Sequence, residues 1–370
     1  MKFSCEKALL QEAISIASRA VTTRSTIALL EGLRITATDR LTLAGYDLSI
    51  GIKTTVDADV VEPGEVVLSA KLLGDIVRKL PDDVIWVDVN KDLMTTIKCG
   101  RAVFNLIAQS SENYPALPEV DSEREIELPQ KTLKNLINKT VFAVSDNMAK
   151  PIHTGCLFET EGGRLTVVGV DGFRLAIRRE NLPEAPTGGL HFVVGGAALR
   201  EIERILSEEG DDTVLVSPGE NHILFRMGST ELIARLISGE FLNYNAAIPA
   251  DLPFTVSVDT REMIQTLERV SLLVSEKLKN PVRIRFDGDV MKMTCITQLG
   301  KSYDECPIGG TIDDLEIGFN SRYLLEAFRA TGEDAVRLSV KGALSPIVLT
   351  PIEGDAFTYL VLPGRLKADA

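Results

Sequence analysis

The chain has 370 residues, 45% of them hydrophobic and 25% charged, and its formal net charge is −13 at pH 7. This length exceeds what one hydrophobic core usually supports, so we expect two or three domains. No run approaches the roughly 18 consecutive apolar residues of a membrane span. The N-terminal segment MKFSCEKALLQEA also lacks the uninterrupted apolar stretch of a signal peptide. These features predict a cytoplasmic protein without a membrane partner.

The cysteines are scattered, odd in number and never arranged as CxxC. Such a pattern is typical of reduced thiols packed in the cores of a cytosolic protein. The five residues are Cys5, Cys99, Cys156, Cys295 and Cys306.

Amphipathic helical segments recur along the chain at intervals of roughly 60–65 residues, each after a short apolar strand and before two or three alternating strands. Six such segments begin near Glu6, Ala70, Pro129, Ala197, Asp259 and Ser321. The even-numbered units match each other, as VVLSAKLLGDIVRKLP, FVVGGAALREIERIL and IGFNSRYLLEAFRAT show, and the odd-numbered units do likewise. The true repeat is therefore a pair of units, and three pairs account for the whole chain.

The repeat predicts an α+β protein of three tandem domains, each with two helices against two four-stranded antiparallel sheets. Polar, proline-bearing joints place the domains at 1–122, 123–250 and 251–370. Hairpin turns are predicted at three glycine-containing sites, 161–163, 218–220 and 287–289. Because exposed sheet edges must be covered or paired, such domains can associate head to tail, and two curved rows can close into a ring.

Charge is unevenly distributed between the helices and the remainder of the chain. The six helical segments contain 14 Lys and Arg against 10 Asp and Glu, so the remainder carries a net −17. If the helices share one side of the molecule, that side is positive within a negative body and suits nucleic acid. Charge alone fits ordinary surface ion pairs equally well.

Motifs for catalysis and cofactors are missing from the sequence. There is no GxxxxGK[ST] loop and no GxSxG elbow, and the three histidines lack metal-ligand spacing. The Asp-Gly-Asp at 287–289 lacks the other ligands of a calcium loop. We therefore expect neither an enzyme nor a bound cofactor.

Five segments together resemble the bacterial sliding clamp family, the β subunit of the replicative DNA polymerase III. They are GCLFETEGGRLTVVGVDGFRLAI (155–177), GEFLNYNAAIP (239–249), VSEKLKNPVRI (274–284), IGFNSRYLLEAF (317–328) and YLVLPGRL (359–366). The motifs DGFRLA and LPGRL, about 190 residues apart, carry the signal jointly. The similarity extends in order through residue 366.

The resemblance implies a head-to-tail homodimer, a ring of clamp-type domains whose helices surround double-stranded DNA without reading its sequence. The positions that match DNA contacts of the family are Arg24, Lys71, Arg78, Arg101 and Lys150, the last in the loop 147–150. Positions that match the family's dimer interface are Ile76, Leu80, Phe104 and Leu106 in the first domain and Leu272 and Leu273 in the third.

The resemblance also implies a hydrophobic peptide-binding cleft between the central and C-terminal domains. Partners would be the DNA polymerase III catalytic subunit, the clamp loader complex, and other polymerases and repair proteins with clamp-binding peptides. The matching positions are Leu157, Val170, Gly172, Arg174, Leu175, Leu242, Pro346, Val361, Leu362, Pro363 and Arg365, of which the two arginines would reach peptide carbonyls or a carboxylate. Without the resemblance, Leu175, Val361 and Leu362 fit ordinary core strand residues.

Several positions depart from the family pattern. Relatives often have His at the position of Phe173, Pro at Leu242, Met at Gly364 and a basic residue at Ala246.

Two functions of different class follow from the whole sequence. The first is a processivity factor that encircles DNA and tethers replication and repair proteins. The alternative is an acidic protein-interaction scaffold that does not encircle DNA.

Overall fold

The computed structural model describes residues 1–22, 25–122, 124–182, 189–274 and 281–364. Its six α-helices begin within a residue or two of the predicted starts, so the helical prediction is confirmed. They are α1 (Lys7–Ala17), α2 (Ala70–Lys79), α3 (Gln130–Asn138), α4 (Gly196–Ile205), α5 (Thr260–Val270) and α6 (Ser321–Thr331). Among the described residues, no helix has the length and apolar character needed to cross a bilayer.

The strands fall into three tandem sets that follow the repeat. The first domain contains β1 (Lys2–Glu6), β2 (Gly32–Ala37), β3 (Leu41–Tyr46), β4 (Ile50–Val56), β5 (Asp59–Glu62), β6 (Gly64–Ser69), β7 (Val84–Val89), β8 (Met94–Cys99) and β9 (Ala102–Ile107). The central domain contains β10 (Ile126–Pro129), β11 (Gly155–Glu161), β12 (Arg164–Val170), β13 (Arg174–Asn181), β14 (His191–Gly195), β15 (Thr213–Pro218), β16 (His222–Met227) and β17 (Thr230–Arg235). The third domain contains β18 (Phe254–Asp259), β19 (Val282–Thr297), β20 (Gly300–Phe319), β21 (Ala335–Val340), β22 (Ile347–Pro351) and β23 (Phe357–Val361).

Local chemistry defines the ends of the helices. Asp259 caps α5 by accepting a hydrogen bond from the backbone N–H of Glu262 at 2.7 Å, which satisfies one of the donors that a helix start leaves unpaired. Asn320 caps α6 in the same way through the N–H of Arg322 at 3.0 Å. The helix then ends at Gly332, whose φ of +67° is the left-handed conformation that glycine adopts at little cost.

One compact unit comprises residues 1–134 and 201–236. It holds a five-stranded sheet in the order β5-β1-β7-β8-β9 and an eight-stranded sheet in the order β10-β15-β16-β17-β4-β3-β2-β6. The longer sheet joins four strands of the central domain to four of the first domain through the antiparallel pair β17 and β4. The short strand β5 adds a fifth strand where the repeat predicts four.

The second compact unit comprises residues 135–200 and 237–370. Its ten-stranded sheet has the order β14-β11-β12-β13-β23-β22-β21-β18-β20-β19 and crosses from the central to the third domain at β13 and β23. One face packs on α5 and α6 in a large core that includes Phe286, Phe328 and Tyr359. The opposite face carries a smaller apolar cluster around Leu175 and Leu360.

Two of the three predicted hairpin turns are confirmed, at 161–163 and 218–220, where β11 meets β12 and β15 meets β16. The third prediction is wrong. Asp287 and Gly288 lie inside the long strand β19, at a bulge where the register with β20 shifts. Gly288 has a φ of +67°, so the Asp-Gly pair here allows a bulge and the strand continues to a turn after Thr297.

The prediction of buried cysteines is confirmed, because all five are free and buried. Burial disfavours the thiolate, and it raises the pKa of Cys156 to about 12. These side chains therefore behave as small apolar core residues.

Candidate functional site

An apolar cluster lies on one face of the sheet where β13 and β23 pair. Alternate residues of each strand point to opposite faces, so every second residue enters this cluster. Three residues of the predicted cleft, Leu157, Val170 and Leu175, are buried in this cluster together with Leu360. Val361 points to the other face and lies in the large core beneath α6. Val361 is therefore a core residue, whereas the resemblance implied that it lines the cleft. The neighbouring Leu360 lies in the apolar cluster instead.

The motif DGFR forms a tight turn between β12 and β13. One carboxylate oxygen of Asp171 accepts backbone N–H bonds from Phe173 at 2.8 Å and from Arg174 at 3.0 Å. Gly172 has a φ of +88°, which L-residues with a side chain rarely adopt. The turn leaves the Phe173 ring 59% exposed and stacked on Tyr323 of α6, with the ring centroids 6.1 Å apart.

Replacing Gly172 by alanine is expected to lower the free energy of unfolding by about 1–2 kcal/mol. A methyl group at this position would meet no atom within 4 Å, so the cost comes from the backbone conformation alone. Gly342 is a matched control, since it also has open space but no positive φ, and its alanine variant should be neutral or slightly stabilised. Urea unfolding of the two variants measures the difference, and equal free energies would contradict this explanation.

The C-terminal motif meets this turn directly. The backbone N–H of Leu362 donates to the carbonyl of Phe173 at 2.8 Å, and that of Gly364 donates to the carbonyl of Gly318 in β20 at 2.7 Å. Leu362 follows β23 and its side chain is 41% exposed, so it differs from the buried Leu175. The two sequence motifs that carry the family resemblance are therefore joined by a hydrogen bond.

A groove of about 1090 Å³ lies beside this junction along α6. Its apolar wall is formed by Phe173, Tyr323, Leu325, Leu362 and Pro363. Its polar side is formed by Arg322, Glu326 and Arg329 of α6. A large open groove with apolar walls and a few convergent polar groups is the usual form of a ligand site.

Arg174 lies beneath the groove with only 7% of its side chain exposed. Its guanidinium donates to Asp171 at 3.0 Å, to the carboxylate of Glu326 and to the carbonyl of Phe142. The same group stacks on the ring of Tyr323, 4.5 Å from its centroid. Because its donors are engaged within the protein, Arg174 positions the groove wall, whereas the resemblance implied direct contact with a peptide.

The carboxylate of Glu326 remains charged in this setting. Burial would raise the pKa of Glu326, but hydrogen bonds from Arg174 and Arg322 outweigh burial and hold the pKa below its usual range. The ionised form therefore contributes to the stability of the groove at neutral pH.

Other predicted cleft residues lie around the apolar cluster and the groove. Leu242 is exposed, and it follows Phe241, which is buried in the cluster. Pro346 precedes β22, is half-buried, and lies two residues before Val348 of the cluster. Arg365 lies outside the described residues.

The structure brings two of the predicted DNA contacts together on one helix. Lys71 and Arg78 are exposed and seven residues apart, hence on the same side of α2. Arg78 forms an ion pair with Asp75 at 3.4 Å. Arg101 is exposed at the turn between β8 and β9, and Lys150 is exposed in the loop before the short 3-10 turn Pro151–Thr154. Arg24 lies outside the described residues.

Most positive charges of the helical segments have an acidic partner. At least nine of the 14 lysines and arginines form an ion pair, which supports the surface ion-pair interpretation for these residues. They are Lys7, Arg19, Arg78, Lys131, Lys134, Arg204, Arg269, Arg322 and Arg329. Within the part of the chain that the structure describes, Lys71 makes no ion pair.

Two of the predicted dimer-interface residues lie elsewhere than the resemblance implied. Ile76 and Leu80 are buried in the core of the first domain and offer a second subunit almost no surface. Phe104 is exposed and Leu106 half-buried on the edge strand β9. Leu272 is 81% exposed in the 3-10 turn Ser271–Leu273, beside the half-buried Leu273.

Exposed apolar residues that were not predicted from the sequence flank both of these surfaces. On β9 they are Val103 and Ile107, and at the β19–β20 hairpin they are Ile296, Leu299 and Tyr303. In the groove, Tyr323 was likewise not predicted. Val103 and Ile107 lie on the same face of β9, because alternate residues of a strand point to the same side, and this spacing could have identified them as surface residues of an edge strand. Nothing in the local sequence distinguishes Tyr323 from a core aromatic residue.

Three tandem α+β domains, sheets that continue across domain boundaries and a groove at the DGFR turn define a clamp-type protein. Family models of the DNA polymerase III beta subunit match residues 1–118 (N-terminal domain), 127–243 (central domain) and 245–365 (C-terminal domain). The chain belongs to this family, the bacterial beta sliding clamps.

Individual relatives agree with this assignment over their full length. The chain is 33% identical over 380 residues to the beta sliding clamp of Halalkalibacterium halodurans, covering 99% of this chain and 100% of that relative. It is similar to the crystal structure of a putative DNA polymerase III beta subunit from Eubacterium rectale, with a TM-score of 0.94, 33% identity and coverage of 98% and 99%. The chain is also similar to the crystal structure of the DNA polymerase sliding clamp from Bacillus subtilis, with a TM-score of 0.94 and 30% identity. This similarity covers 99% of this chain and 100% of that chain.

Proposed function

We propose that this protein is the processivity factor of its replicative polymerase, a non-catalytic accessory subunit that closes around duplex DNA as a ring-shaped homodimer. Two sheet edges support the dimer. The five-stranded sheet ends at β9, and the ten-stranded sheet ends at β19. Each edge carries exposed apolar side chains, Ile107 on the first and Ile296 on the second. Head-to-tail pairing of two chains would cover both edges.

Enclosure, and not tight contact, would retain the DNA. Contacts from Lys71, Arg78, Arg101 and Lys150, together with Arg24, would go to phosphates and carry no sequence information. The many local ion pairs on the helices favour weak contacts, because a cation with an acidic partner attracts phosphate less strongly. Weak, sequence-independent contacts allow sliding.

The groove at the DGFR turn would tether partners. The observation that carries this part is the hydrogen bond between Leu362 and Phe173, which joins the two family motifs beside an open apolar groove. A short peptide from the polymerase catalytic subunit, the clamp loader, or another polymerase or repair protein could bury apolar side chains against Leu362 and Phe173. The same ring would then hold each partner on DNA in turn.

Retention on circular DNA tests the proposal. The protein is loaded onto a singly nicked plasmid by its cognate loader and ATP, and the retained fraction is measured by gel filtration before and after the plasmid is linearised. We expect stable retention on the circle and loss to background from the linear form, because a ring slides off a free end. Equal retention on both forms would mean ordinary binding. No retention with an active loader would favour the scaffold that does not encircle DNA.

A further inference from the structure

Two junctions between consecutive domains have the same strand pairing. At the first junction β4 pairs with β17, and at the second junction β13 pairs with β23 beside the groove. At the first junction the backbone N–H of Arg235 donates to the carbonyl of Ser49 at 3.0 Å. This bond corresponds to the one from Leu362 to Phe173 at the second junction. The junction that borders the groove therefore has a counterpart in the first domain.

The turn between β3 and β4 repeats the DGFR turn. One carboxylate oxygen of Asp47 accepts backbone N–H bonds from Ser49 at 2.8 Å and from Ile50 at 2.7 Å, which are the two bonds found in the DGFR turn. Leu48 has a φ of +73°, close to the +88° of Gly172. Because a leucine adopts this conformation only at an energetic cost, the turn keeps its geometry although the sequence has changed.

An Arg–Glu ion pair recurs with the turn. Glu201 of α4 and Glu326 of α6 occupy the same position in the matching units FVVGGAALREIERIL and IGFNSRYLLEAFRAT. Glu201 pairs with Arg19 at 3.2 Å, whereas Glu326 pairs with Arg174. The arginine comes from a different element in each case, so the pair is kept while its residues differ.

The apolar faces of the two junctions are filled in different ways. Leu175 of β13 is buried in the apolar cluster, and the matching residue of β4 is Gly51, which has no side chain. The space over Gly51 (the Gly51 site) is occupied by Leu117, since a Cβ on Gly51 would lie 3.0 Å from the Cδ2 of that leucine. Tyr46 borders the same space, and Leu117 packs half-buried against the cluster that contains Tyr46 and Tyr114.

Leu117 belongs to the linker that leads from the first domain to the central domain. The first linker contains NYPALP (113–118) and the second contains NYNAAIP (243–249). Their tyrosines, Tyr114 and Tyr244, are both buried and hydrogen-bonded. In the first linker the Pro-Ala-Leu-Pro that follows has neither helix nor strand, and its leucine enters the Gly51 site. A short irregular segment of the chain thus lies against the first junction with one leucine inserted.

We propose that the first junction is a second peptide-binding site, which the chain itself closes with Leu117. The inference rests on the proposed peptide-binding function of the groove. The ligand class is a short extended segment with one leucine as its apolar anchor. Because the linker tethers Leu117, its effective concentration is on the order of millimolar or higher, and a free peptide at low micromolar concentration cannot displace it. The chain therefore offers partners one open site although it contains two such junctions.

Photo-cross-linking on the full-length protein tests this closure. A short peptide from the polymerase catalytic subunit carries photo-leucine in place of one leucine, and mass spectrometry maps the residues to which it becomes attached. On the wild type, cross-links should fall in the groove, at Phe173 and Leu362. In Leu117→Ala, cross-links on β4 and β17 should rise at least about tenfold, because the tethered competitor is gone. Those in the groove should not change.

Variants assign the effect to the Gly51 site. Adding Gly51→Leu to Leu117→Ala supplies the side chain that Leu175 provides at the second junction, so cross-links on β4 and β17 should return to the wild-type level. Leu29→Ala is the matched control, because Leu29 is a half-buried leucine of the same cluster while the nearest atoms to the Gly51 site belong to Leu117 and Tyr46. It should behave as wild type. Leu117→Val should give a smaller rise in the same direction.

The outcomes separate this inference from the proposed function. Cross-links on β4 and β17 that are equally strong in the wild type, or that fail to rise in either Leu117 variant while the groove still reacts, would overturn the closed site. A rise that persists after Gly51→Leu would also overturn it, because the peptide would then be bound elsewhere. Absence of cross-links in the groove of the wild type would instead overturn the proposed peptide-binding function.

Discussion

Replacing Leu272 and Leu273 together by alanine is expected to convert the proposed dimer into a monomer. Leu272 is 81% exposed in a protomer, which is unusual for a leucine unless a partner covers it. Leu273 lies beside Gly300 at the β19–β20 hairpin, so the pair borders the exposed edge of the third domain. Central apolar residues of an interface each contribute about 2 kcal/mol or more. Losing two should weaken dimerisation by about three orders of magnitude.

Multi-angle light scattering at low micromolar concentration measures the result directly. The wild type should give twice the 40.3 kDa mass of the chain, and the double variant should give the single mass. Leu344→Ala is the matched control, because Leu344 is 90% exposed in the same domain but lies in the loop before β22. An unchanged mass for the double variant would place the interface elsewhere.

Helices and most hairpins were predictable because their signals are local. The apolar spacing and capping residues of α5 and α6 lie within the helices or next to them, so their ends follow from the sequence. The Asp-Gly pair at 287–288 led to a wrong prediction because Asp-Gly occurs both in hairpin turns and in β-bulges. Whether it forms a turn or a bulge here depends on pairing with β20. Only the register of the distant strand resolves that choice.

The candidate site was predictable in outline but not in the roles of its residues. Alternation along β23 shows that Leu360 and Val361 face opposite sides, but which side holds the core depends on where α6 packs. The resemblance similarly implies an interface role for Ile76 of α2, which is a core residue. The role of Arg174 depends on Glu326, which is 152 residues away and has no local relation to it. A single sequence does not reveal contacts between residues that lie so far apart along the chain.

Replacing Arg174 by alanine is expected to have the largest effect on the stability of the groove. The change removes the common partner of two partly buried carboxylates, Asp171 and Glu326, and leaves the carbonyl of Phe142 without its donor. Breaking a buried ion pair from one side costs about 3–5 kcal/mol, since the remaining charge stays desolvated. The stacking of the guanidinium on Tyr323 is lost as well.

Urea unfolding and peptide anisotropy together test this role. We expect the free energy of unfolding to fall by about 3 kcal/mol or more. We also expect Kd for a short fluorescein-labelled peptide from the polymerase catalytic subunit to rise at least about tenfold, because the wall formed by Phe173 and Tyr323 loses its support. Arg164→Ala is the control, since Arg164 holds Asp355 by two hydrogen bonds at a more exposed site. That variant should lose about 1 kcal/mol or less and bind peptide normally.

The pH dependence of the destabilisation by Arg174→Ala tests whether this effect is electrostatic. The folded-state pKa of Glu326 is lowered from its ordinary 4.5, so its ionised form stabilises the protein above that pH, and the contribution disappears as pH falls through the folded pKa. Without Arg174, burial of Glu326 is less well compensated and its pKa should rise. The difference in unfolding free energy between wild type and Arg174→Ala should therefore be full near pH 7 and shrink below about pH 4.5. A difference that stays constant down to pH 3 would mean that Arg174 acts through packing on Tyr323 and Phe142, and not through the charge of Glu326.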